Sequence, residues 1–214
     1  MEKKMKKQFL LASAFLVAFL LFTVLVRSID VQAIGPCGSN VGFATLNGAV
    51  HRATGVNSML YTVTDWLGLV PIGVAFGYGI LGLVQWIRRK SILKVDRSVL
   101  ALGGFYIAVI LIYFIFEMVT VNYRPILIEG RLEASYPSST TMLVLCVIPA
   151  MMMELSTRIK QKHVARLTMI ALGLFVAFMV IGRFLSGVHW ITDILGGAIL
   201  SGALVSAFAA VAKL

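Results

Sequence analysis

Hydrophobic and polar positions alternate along this chain on the scale of whole helices. Apolar runs extend from Phe9 to Val26, Trp66 to Ile87, Val99 to Val119, Thr141 to Leu155, Leu167 to Leu185 and Ile191 to Ala212. A bilayer core takes about 20 apolar residues in a helix, so the pattern predicts an all-α, polytopic membrane protein built as a six-transmembrane-helix bundle. The fourth run reaches that length only when Ser138 to Thr140 and part of Ser156 to Arg158 are included. The predicted helices are then about 9–26, 66–87, 99–119, 138–157, 167–185 and 190–212, in one membrane domain over 1–214. The outer loop 28–61 carries Phe43, Leu46 and Val50 at roughly helical spacing, which is compatible with a short interfacial helix. His51 and Arg52 beside them could touch a lipid headgroup, although an ordinary solvated position is the preferred reading.

Composition agrees with a membrane protein. The chain is 59% hydrophobic and 13% charged, with a mean hydropathy of +0.94, which excludes an ordinary soluble domain of this length. Met1 to Lys7 is basic and Val31-Gln32-Ala33 loosely resembles a signal-peptidase site, so a cleaved leader competes with a first helix. The apolar stretch is longer than a signal peptide's, which favours an uncleaved helix.

Charge then orients the bundle. All but five of the 19 Lys and Arg fall in blocks: Lys3, Lys4, Lys6 and Lys7; Arg88, Arg89, Lys90, Lys94 and Arg97; Arg158, Lys160, Lys162 and Arg166; and Lys213. These blocks occupy alternate connections, so the positive-inside rule places both termini in the cytoplasm. The net charge of +10 reflects topology and attraction to anionic membrane lipids, with no nucleic-acid partner expected. Trp66, Tyr123, Tyr136 and Trp190 fall near the outer boundary and Trp86 near the inner one, as an aromatic belt would. Cys37 lies in the outer loop and Cys146 within the fourth helix, which argues against an intramolecular disulfide.

The remaining basic residues are Arg27, Arg52, Arg124, Arg131 and Arg183. Two outer segments contain the candidate chemistry: Asn122-Tyr123-Arg124-Pro125 followed by Tyr136-Pro137-Ser138-Ser139-Thr140, and Arg183 with His189 and Asp193. Guanidinium groups clamp phosphoryl oxygens bidentately, and Ser138 at a helix start adds a hydroxyl where orphan N–H groups favour an anion. His189 and Asp193 are four residues apart and would share a face on a helix. Asp193 could then hold the imidazole in one tautomer and leave its other nitrogen free to attack phosphorus. Taken singly, a boundary arginine is a snorkelling anchor and a Pro-Ser a helix start. Ionisable residues grouped near a membrane helix are a functional candidate.

At these residues the sequence resembles the type-2 phosphatidate phosphatase (haloperoxidase-like) superfamily, membrane branch. Arg183, His189 and Asp193 match its third motif, Arg124-Pro125 its first, and Pro137-Ser138 its second, from about Trp66 to the C-terminus. The resemblance implies a phosphohistidine on His189, oriented by Asp193, with Arg124, Ser138 and Arg183 binding phosphoryl oxygens; Ser139 beside them is a further phosphate-binding candidate. It implies neither metal nor cofactor. Three positions depart from the motifs: Glu117 replaces a lysine, Ser139 and Thr140 replace Gly-His, and Gly182 replaces a serine.

The missing histidine would have been the general acid, typically worth about 10² to 10⁴ in rate. A diphosphate suffers less from that loss, because its leaving group is a phosphate with a second pKa of roughly 6 to 7, by analogy with phosphate monoesters. The expected activity is therefore hydrolysis of lipid phosphate or, preferentially, lipid diphosphate of the polyprenyl type at the extracytoplasmic face of the cell membrane. Glu117 reverses the expected sign. It can turn away, pair with Arg124 or Arg183, or stay protonated and act as an accessory proton donor, and Thr140 is a second accessory candidate. A phosphotransferase using the same site and a silent lipid-binding scaffold are the alternatives. The lipid and the oligomeric state are left open.

Overall fold

The structure, a computed structural model, describes residues 2–212, so Lys213 lies outside the described residues. The elements are α1 (Glu2–Ser28), α2 (Ala44–Thr54), α3 (Ser58–Leu67), α4 (Leu69–Arg89), α5 (Arg97–Met118), α6 (Ser139–Arg158), α7 (Lys162–Leu185) and α8 (Ile191–Val211). Six candidate membrane spans result, with α3 and α4 together forming the span Ser58–Arg89. The all-α, six-helix membrane bundle expected from the apolar pattern is the observed fold.

The second span begins at Ser58, well before Trp66, because polar residues extend it. Asn57 caps α3 by accepting the Leu60 N–H at 2.9 Å. The joint follows at Gly68, whose N–H is shared between Thr64 O and Asp65 O, both at 3.0 Å. Pro71 in the first turn of α4 loses no helical hydrogen bond there. The outer loop is not open coil, since α2 occupies its middle and α3 its end.

Helices α6 and α8 form the centre, and α1 packs along α8. In lipid, helix association rests on close packing and hydrogen bonds more than on an aqueous hydrophobic effect. Ser201 on α8 donates to Gly197 O at 2.7 Å and to Met142 O of α6 at 3.4 Å. Phe19 of α1 stacks on Tyr136 at 6.1 Å, and the Tyr136 hydroxyl meets Thr23 Oγ1 at 2.8 Å. Leu10, Phe76, Leu111 and Leu174 are left exposed, as lipid-facing side chains would be. Tyr136 and Trp190 are buried at 1% and 3%, so they belong to the interior and not to the expected aromatic belt; Trp66 and Trp86 are exposed. Both cysteines are free.

The two ends differ in chemistry. At one end Asp96 pairs with Arg89 at 2.8 Å and Arg158 at 3.6 Å, and the buried Glu154 carboxylate also pairs with Arg158. This joins the α4–α5 connection to the end of α6. The opposite end gathers residues 29–57, the connection 119–138 and the turn between α7 and α8.

Candidate active site

The turn after α7 is shaped by Gly187. Its φ of +70° is a left-handed conformation, and a Cβ there would collide with the Gly55 carbonyl. Asn57 N–H donates to Ser186 O at 3.0 Å, so the α2–α3 junction braces the turn from behind. The chain re-enters a helix at Ile191, where Asp193 Oδ2 accepts the Trp190 N–H at 2.9 Å. The Trp190 indole N–H donates to Tyr123 O at 2.7 Å, which fixes the turn against the Arg124-Pro125 segment. His189 therefore lies ahead of α8, not on a helix face shared with Asp193 as the four-residue spacing suggested. The carboxylate that caps the helix still lies 3.6 Å from His189 Nδ1.

His189 is buried, and its Nε2 lies 3.2 Å from Arg124 Nη1. A guanidinium only donates, so Nε2 is the accepting nitrogen and Nδ1 carries the hydrogen that faces Asp193. Burial, reinforced by the Arg124 and Arg183 cations, holds the His189 pKa well below its ordinary value of 6.5. The imidazole is neutral at physiological pH. Its Nε2 lone pair points at the guanidinium edge, where a phosphoryl group would be held.

Arg124 Nε is 3.1 Å from Glu133 Oε2 without forming a hydrogen bond. Arg183 is fully buried, with Nη1 3.4 Å from both Thr64 Oγ1 and Asp65 Oδ1 and its guanidinium carbon 5.1 Å from the Tyr61 ring centre. Glu133 and Asp65 thus take the arginines, and Glu117 pairs with neither. Arg124 Nε, Arg183 Nε, His189 Nδ1, Asp193 Oδ1, Asn122 Nδ2 and Ser135 Oγ are buried here without a hydrogen-bond partner. Such groups typically cost about 1 to 3 kcal/mol each, and the two guanidinium nitrogens would be relieved by an incoming anion.

A groove of about 1050 Å³ runs between α4 and α5 to this point. Arg124, Arg183, Ser139, Thr140 and Glu117 line its polar end, and Ile72, Phe76, Ile107 and Phe114 line its apolar length. Ser138 is turned away. Its hydroxyl accepts from Thr141 Oγ1 at 3.0 Å, and its N–H donates to Asp193 O at 3.0 Å, joining the start of α6 to α8. Arg124, Arg183, His189 and Asp193 therefore come together, while Ser139, Thr140 and Glu117 join the two arginines in lining the groove's polar end. Asp65, Thr64, Asn122, Glu133 and Ser135 also reach this site, and the sequence assigns none of them a role. Asp65 left a trace as a lone carboxylate beside an apolar run; the others are ordinary loop and helix residues by type and spacing.

Comparison with curated protein sequences gives no match. The profile of the PAP2 superfamily matches residues 119–213, a range that holds every candidate except Glu117. The fold is similar to that of the first transmembrane PAP2 type phosphatidylglycerolphosphate phosphatase from Bacillus subtilis. That similarity has a TM-score of 0.53 and 20% identity, over 91% of this chain and 92% of the other. Residues 119–213 thus match the PAP2 superfamily model, and the six-helix bundle that contains them has the fold of a transmembrane PAP2 phosphatase.

Proposed function

We propose that this protein is a membrane lipid phosphatase that works through a phosphohistidine on His189 at the extracytoplasmic face. The observation that carries the reading is a buried neutral imidazole whose Nε2 faces Arg124 while Asp193 stands behind Nδ1. Arg124 and Arg183 bind the phosphoryl oxygens, and the groove between α4 and α5 takes the lipid chain. Nε2 attacks phosphorus as the bond to the leaving oxygen breaks, and Asp193 stabilises the cationic ring that forms. Water then attacks phosphorus, the N–P bond breaks, and inorganic phosphate leaves with His189 restored.

The leaving oxygen needs a proton unless it is already a good leaving group. Thr140 cannot act as an acid near neutral pH, so a lipid diphosphate, which departs as a lipid phosphate, suits this site better than phosphatidate. Phosphate release by the purified protein in liposomes tests the reading. Faster turnover of a polyprenyl diphosphate than of phosphatidate is expected, with both lost in His189→Ala. A clear phosphatidate preference would remove the diphosphate assignment. Release that survives in His189→Ala would remove the phosphohistidine.

A further inference from the structure

Two buried asparagines from distant parts of the chain grip the backbone of one residue, Gly42, behind the turn that carries His189. Gly42 donates its N–H to Asn122 Oδ1 at 3.4 Å, and its carbonyl accepts from Asn47 Nδ2 at 2.7 Å. A side chain at Gly42 would run into the Val26 carbonyl, so this residue is pressed against the end of α1. Asn47 also meets the first turn of α8: its Nδ2 donates to Thr192 Oγ1 at 3.0 Å, and its Oδ1 accepts the Thr192 N–H at 3.4 Å. Asn122 lies against the neighbouring residue, Asp193, as does Ser135. The Ser135 N–H donates to Asn122 O at 2.9 Å, which holds the two beside each other.

The amide orientation of Asn122 follows from this bond. Its Oδ1 faces a donor, so Nδ2 carries the two hydrogens. Asp193 Oδ2 is committed to the Trp190 N–H and faces His189. Its Oδ1 is buried without a partner, and so is Asn122 Nδ2. A buried unsatisfied donor and a buried unsatisfied acceptor therefore belong to adjacent side chains.

We propose that Asn122 is a positioning residue for the reaction, donating from Nδ2 to Asp193 Oδ1 and so fixing the carboxylate that orients His189. The inference rests on the phosphohistidine reading above and adds to it an anchoring residue outside the motif positions that carry the family resemblance. Gly42, held by α1 and Asn47, sets the Asn122 amide; Asn122 sets the carboxylate; the carboxylate sets the imidazole. The charged and titratable groups around Asp193 are His189 on the turn, Arg124 from the 119–138 connection and Tyr136 ahead of α6. Asn122 adds a donor to this set without adding a charge.

The experiment compares wild type, Asn122→Ala and Asn122→Asp in liposomes, measuring phosphate release from a polyprenyl diphosphate as a function of pH. Asn122→Ala should lose about tenfold or more in kcat with KM unchanged, as when the outer partner of a working imidazole is removed. Asn122→Asp keeps the size of the side chain but sets a second carboxyl against Asp193. Two such groups in contact cannot both ionise freely, so the acidic limb of kcat/KM should move up by about one pH unit or more. A role confined to folding would leave that limb in place. An active wild type with both variants at wild-type kcat, or with the acidic limb unmoved in Asn122→Asp, overturns the inference alone. A wild type that releases no phosphate overturns the phosphatase reading, and the inference with it.

Discussion

His189 shows how a single residue joins stability to chemistry. Its burial beside two arginines keeps the ring neutral, as the proposed nucleophile requires, and the same burial makes protonation costly. In the unfolded chain the ring titrates near 6.5, while in the folded protein it titrates well below that. Between the two values the unfolded state binds the extra proton. Stability from this group is therefore full above about pH 6.5 and declines as pH falls towards the folded pKa. The midpoint of thermal unfolding in detergent should drop with acidification below that pH, and less steeply in His189→Gln. Parallel slopes would mean that another group is responsible. Arg183, His189 and Asp193 were legible in the sequence because ionisable residues stand out against apolar helices. Asn122 and Ser135 were not, since such residues are common in loops and acquire meaning only beside Asp193.

Among the elements, the turn between α7 and α8 depends most on parts of the chain far from it. Gly187 combines a left-handed φ with contact against the Gly55 carbonyl, so an added methyl is opposed twice. Gly187→Ala is expected to destabilise the protein by more than about 1 kcal/mol and to lower phosphate release by displacing His189. Thermal unfolding and turnover measured together check this, and unchanged values for both would argue against the brace. Helix α3 teaches a related lesson. Its polar start, with Asn57, Ser58 and Thr62, reads as loop by hydropathy, yet capping and continuity with α4 extend the second span to Ser58. The polar residues so added include Thr64 and Asp65, the partners of Arg183.

For the whole molecule, the arrangement of charge is what links fold to sidedness. The basic connections gather at one end, around Asp96 and Arg158, and the candidate site occupies the other. The positive-inside rule then predicts that the site end faces away from the cytoplasm. Cys37 is exposed at the site end and Cys146 is buried in α6, so one thiol reports orientation without engineering. A membrane-impermeant maleimide added to intact cells should label the protein, and Cys37→Ser should abolish the labelling. Labelling only after the membrane is opened would invert the topology.

The sequence alone determined the helical membrane class, the number of spans and the residues that bear charge among them, because crossing a lipid bilayer imposes length and apolarity locally. Only the tertiary structure decided which partners those charges acquire. Glu133 and Asp65 take the arginines in place of Glu117, Ser138 turns to Thr141, and two asparagines lock the Gly42 backbone behind Asp193. Hydropathy is a property of each segment by itself. The pairing of buried polar groups is settled where segments meet, by which donors and acceptors packing leaves within reach of one another.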